Sequence, residues 1–79
     1  MNDGRSQVSE EIRMLDMLLE LIDTKLKSLF AERELMQRFY YDKQLDYEMT
    51  KEILEYQRLY HYVEKWKATI MAIASESDK

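Results

Sequence analysis

The residues with the most chemical potential in this chain are Lys25, Ser28, Glu32 and Arg33, which interrupt a run of otherwise apolar positions. On a helix, residues three and four apart share a face, so these side chains fall within about two turns of one another. Placed between helices they would form a small polar pocket in which Lys25 and Arg33 receive an anion or a carboxylate. A purely structural use of the same residues is also available: Arg33 pairs with Glu55 or Glu52 across a hairpin, Glu32 meets a tyrosine hydroxyl, and Lys25 lays its stem along apolar surface. Other chemistry is poorly served. His61 is the sole histidine, and Arg58 stands three positions before it, so the Glu-x-x-His spacing of bundle di-iron sites is absent. There is no cysteine to supply a thiolate, and a chain whose one glycine is Gly4 cannot build a phosphate cradle. No nucleophile, base and acid occur as a set. The expectation is no catalytic residue, no metal and no cofactor.

Aromatic side chains with polar tips are the second group of interest. Tyr40, Tyr41 and Tyr47 surround the expected chain reversal, with Tyr62 further on, and such residues are enriched in binding hot spots. These four make the candidate partner surface. Tyr56, Tyr60 and Trp66 recur at helical spacing and read as core or dimer interface. Met17, Phe30, Leu54 and Met71 fall on outward faces, either as a second contact surface or as ordinary scatter. Arg58, Lys65 and Lys67 near Tyr62 form only a dilute basic stripe, because Glu55 and Glu64 lie among them.

Long helices must position all of these groups. The chain has no proline, and nothing after Gly4 breaks a helix strongly. Helix one is expected over about 6–41, capped by Ser9 ahead of Glu10 and Glu11 or equally well by Ser6. Val8, Leu15, Ile22, Leu29 and Met36 recur every seven residues, flanked three positions on by Leu18 and Phe39 and four positions on by Ile12, Leu19, Leu26 and Tyr40. A second ladder, Met49, Tyr56, Val63 and Ile70, is flanked by Leu59, Trp66 and Ile73 and by Ile53 and Tyr60, which sets helix two over about 47–75. The ladders are out of phase, so a turn is expected at about 42–46, where Asp42 and Asp46 are plausible caps and Thr50 a later one. Folding there brings Leu29 and Arg33 near Leu59 and Glu55, and Leu15 near Ile73. The rival is one bent helix approaching ~100 Å in length.

The apolar stripe of helix one is wider than a two-helix seam requires. Met14, Leu21 and Leu35 border it on one side and Leu19 and Leu26 on the other, the width expected of a helix with two neighbours. The chain has 79 residues, 46% of them apolar and 35% charged. At this length a monomer buries only ~60% of its unfolded surface, so association is a natural supplement. The fold expected is all-α: a single domain, 1–79, forming an antiparallel hairpin of two long helices that dimerises into a four-helix bundle. Its assembly core would be Leu15, Ile22, Leu29, Met36, Tyr56, Val63, Trp66 and Ile70.

The segment Ile22-Asp23, Leu26, Leu29 and Ala31-Glu32-Arg33 resembles the first helix of the all-helical chorismate mutases, which are intertwined helical dimers. The likeness implies a small dicarboxylate bound between helices, with Arg33 matching a family active-site arginine. The chain departs from that pattern elsewhere. The position of the other first-helix arginine is Asp16, the expected lysine falls on Gln44 with Lys43 one residue away, and the chain is shorter than the usual three-helix unit.

A net charge of −4 argues against general nucleic-acid binding, which draws its affinity from cations on phosphates. No apolar run reaches the ~18 residues of a membrane span, and Met1 to Ser9 carry no secretory hydrophobic segment, so a cytoplasmic location is expected. The functional expectation is a non-enzymatic protein–protein interaction module: a small regulator, antagonist, adaptor or assembly chaperone that binds itself or a protein client through apolar helix faces.

Overall fold

The structure, a computed structural model, describes residues 4–77, with side chains from 8 to 76. It consists of two helices, α1 (Gly4–Phe39) and α2 (Lys43–Ser77), packed antiparallel as a hairpin. At 1.5 Å per residue each helix spans a little over 50 Å, and the whole measures 58 × 15 × 12 Å. The single continuous helix is thereby excluded. Because α1 already includes Gly4, Ser9 and Ser6 lie inside the helix rather than at its cap, and the Ser6 side chain falls outside the described residues.

The chain reverses over 40–42, earlier than the expected 42–46. Asp42 makes this turn possible without glycine or proline. Its carboxylate accepts the backbone N–H groups of Gln44 (2.9 Å) and Leu45 (3.1 Å), which are the second and third residues of α2 and have no intrahelical partner. The Asp42 carbonyl takes the first bond of α2, from the Asp46 N–H at 2.8 Å. On the other side, the Tyr40 N–H closes α1 on the Met36 carbonyl, and the Asp42 N–H reaches the Met36 sulfur at 3.4 Å. Met36 is completely buried. One thioether thus fills the base of the hairpin and helps to satisfy the turn.

An earlier turn moves every cross-helix partner by roughly two helical turns. Arg33 is paired with Asp46, not with Glu55 or Glu52, through an Nε to Oδ1 bond of 3.1 Å. Leu15 packs in a cluster with Leu19, Ile22 and Val63, bordered by Leu26, Tyr56, Tyr60 and Ile70, rather than against Ile73. Leu29 and Ile53 are buried nearer the turn. Toward the open end Lys67 crosses to Asp16. The seam therefore uses each ladder together with the residues four positions on, and leaves the residues three positions on outside.

Candidate functional site

The four polar residues that sequence placed together separate in the structure. Arg33 belongs to the seam and is half-buried; its guanidinium holds the Asp46 carboxylate, which also accepts the Gln37 side-chain amide at 2.9 Å. The Arg33 hydrogen bond, assisted by that of Gln37, holds the Asp46 carboxyl below its usual range. Lys25, Ser28 and Glu32 are exposed. They stand about 80–140° around α1 from the seam line of Arg33 and form no enclosed pocket with it. The carboxylate that Arg33 takes is thus one from its own chain. Asp16 and Gln44, where the chorismate-mutase-like pattern has cations, are engaged by Lys67 and by Glu48 respectively.

The expected tyrosine surface also divides. Tyr40 and Tyr41 lie in the turn and Tyr47 in the first turns of α2, all exposed. Tyr62 is exposed too, but lies some 20 residues along α2 from the turn, or about 30 Å. Of the expected assembly core, Leu15, Ile22, Leu29, Met36 and Val63 are buried, and Tyr56 and Ile70 half-buried, within a single hairpin. The ladder is consumed by the chain itself. Trp66 is the exception at 52% exposure.

Trp66 marks what the seam leaves out. On α1, Met14, Leu18, Leu21, Lys25, Ser28, Glu32, Leu35 and Phe39 follow one another at alternating spacings of four and three, a second helical stripe beside the first. On α2 the corresponding stripe runs through Leu45, Glu48, Glu52, Glu55, Leu59, Tyr62, Trp66, Thr69 and Ile73. All of their apolar members are exposed, with Leu21 at 66% and Phe39 at 71%. In an antiparallel pair with matching seams, corresponding flanks emerge on the same side. A groove lined by Glu10, Glu11 and Met14 of α1 and by Trp66 and Ile70 of α2 shows the two stripes meeting at the open end. The other side of α1 is mostly polar, with Arg13, Asp16, Glu20, Asp23, Lys27, Glu34 and Gln37. These stripes make the more apolar side of the hairpin; Phe30 of α1 and Leu54 and Met71 of α2 are exposed on the other.

Sequence reading saw the excess width of α1 but not that α2 carries a matching stripe. The signal was present in Leu59, Tyr62, Trp66 and Ile73, once the four-on flank is assigned to the seam. Among the described residues no group of histidine and carboxylate side chains could hold a metal ion, and no helix is long and apolar enough to cross a membrane. Comparison of the chain with protein families, with curated proteins and with solved structures yields no match.

Proposed function

We propose that this chain is a non-enzymatic helical interaction module that self-associates through the open-end half of the hairpin's apolar side, where two copies complete a four-helix bundle. The observation that carries this is area. A compact monomer of 9.7 kDa exposes about 5,100 Å², whereas the hairpin exposes 6460 Å². The excess is greater than the ~800 Å² that each partner contributes to a standard interface. Exposed Met14, Leu18, Leu21, Leu59, Trp66 and Ile73 lie together on one side of the hairpin. The radius of gyration, 17.9 Å, also exceeds the ~12 Å of a compact domain this long. A two-helix layer has a seam but no enclosed core, and a second layer laid on Met14, Leu18, Leu21, Leu59 and Trp66 supplies one.

In a cell such a module acts as a small regulator, antagonist, adaptor or assembly chaperone, presenting or sequestering apolar helix surface. The test is mass in solution by light scattering across a dilution series. A species of twice the chain mass that dissociates on dilution is expected. A monomer persisting at hundreds of micromolar overturns the self-association reading and leaves the apolar side to a client.

A further inference from the structure

Charge is segregated along the apolar side. Its open-end half carries Met14, Leu18, Leu21, Leu59 and Trp66, with Glu10 and Glu11 at the far end of the groove. Its turn-proximal half is different: Leu35, Phe39 and Leu45 are exposed among Glu32 of α1 and Glu48, Glu52 and Glu55 of α2. The spacing of four then three sets the α2 glutamates on one line, and reversal over 40–42 sets Glu32 level with a point between Glu48 and Glu52. None of the four takes part in an ion pair among the described residues, where the pairs are Lys27–Asp23, Arg33–Asp46 and Lys67–Asp16. Glu48 accepts only the Gln44 amide, at 3.1 Å. Lys25 is the one cation on the two stripes; Lys51 and Arg58 of α2 and Arg38 of α1 lie one position further outward.

A second copy is a poor match for this half, since laying like upon like sets four carboxylates against four with one lysine on each side to offset them. Nucleic acid and anionic bilayers are repelled for the same reason. The complement is a helix whose apolar stripe is bordered by lysine or arginine. We infer that the turn-proximal half of the apolar side is a docking site for a basic amphipathic helix of another protein. Its apolar stripe sits on Leu35, Phe39 and Leu45, and its cations meet Glu32, Glu48, Glu52 and Glu55. From Ser28 to Phe39 the site is about 17 Å long, enough for roughly three turns of a bound helix. This inference rests on the interaction-module reading, but not on self-association, which uses the other half.

The test titrates the full chain into a fluorescein-labelled synthetic peptide of leucines at helical spacing flanked by lysines, read by anisotropy. A control peptide carries glutamate in place of each lysine. Saturable binding of the basic peptide alone is expected, weakening at least tenfold between 50 and 300 mM salt. In Glu32→Lys/Glu52→Lys the affinity should fall at least tenfold while mass in solution and helicity stay as in the parent chain. Glu32→Gln/Glu52→Gln provides the milder variant should charge reversal unfold the hairpin, and a several-fold loss is expected there. Equal binding of both peptides, no saturable binding, or unchanged affinity in both double variants overturns the proposal. A dimer that ignores the basic peptide refutes this inference alone, and a monomer that binds it refutes only self-association.

Discussion

Leu21 and Ile22 are adjacent in sequence and about 100° apart on α1, so the same substitution at each separates the hairpin from its assembly. Ile22 is 3% exposed in the seam, and Leu21 is 66% exposed on the apolar side. Truncating a buried isoleucine to alanine costs about 2–5 kcal/mol, and a domain of this length is stable by only about 4–12 kcal/mol. A glutamate at 22 adds an unpaired buried charge, so Ile22→Glu should unfold the chain. Leu21→Glu removes little contact within one hairpin and should leave helicity near the parent level. In the dimer each copy loses the burial of one leucine, worth about 1.5–3 kcal/mol, and the twofold doubles this to about 3–6 kcal/mol. That weakens association by roughly a hundredfold or more. The assay pairs far-UV circular dichroism with light scattering at matched concentrations. A helical monomer is expected for Leu21→Glu and a disordered chain for Ile22→Glu. If Leu21→Glu stays dimeric at micromolar concentration, the apolar side is not the interface; if both variants unfold alike, the seam and the outer stripe are not separate surfaces.

Asp42→Ala removes the cap of α2 and should lower stability by about 1 kcal/mol in urea melts, with Asp42→Asn recovering most of it. Met36→Ala empties a fully buried site at the turn and should cost about 2–5 kcal/mol, whereas Met36→Leu, which keeps the volume but not the sulfur, should cost less than about 1.5 kcal/mol. Asp46 gives the hairpin a defined acid sensitivity. Because its carboxyl is held below the usual range by Arg33 and Gln37, its contribution is present above the unfolded pKa, near 4, and is lost as pH falls through the lower folded value. Comparing urea melts from pH 6 to pH 2, Asp46→Asn should lose less stability than the parent over that lower window; identical pH profiles would show that the Arg33–Asp46 contact adds nothing. The contact is partly exposed, so the difference should be small.

Fold class was legible because composition and period agreed: no proline, a lone Gly4, and two apolar ladders that demand helices and lose phase between Met36 and Met49. The turn was harder to place because no residue there forces one. Asp42, Asp46 and Thr50 can each cap a helix, and only the structure shows Asp42 capping α2 while Asp46 turns inward to Arg33. The tyrosines misled for a related reason. Tyr40, Tyr41 and Tyr47 were grouped with Tyr62 by residue type, although Tyr62 lies about 30 Å along the rod.

The turn position also decides which apolar residues are left for another molecule. Each ladder is bordered on both sides by apolar residues, Leu18 or Leu19 beside Leu15, and Trp66 or Ile53 and Tyr60 around Tyr56 and Val63. Periodicity alone is indifferent between the three-on and four-on flank, since both give a 3–4 seam. Reversal over 40–42 aligns Arg33 with Asp46 and Asp16 with Lys67, and these ion pairs are available only if the four-on flank faces inward. Once it does, Leu18, Phe39, Leu59, Trp66 and Ile73 must face outward together. The apolar side is thus the remainder of a register choice: the three-on flank would have carried Lys25, Glu32 and Glu52 into the seam, whereas the four-on flank carries only Arg33 and Lys67, each paired with a carboxylate.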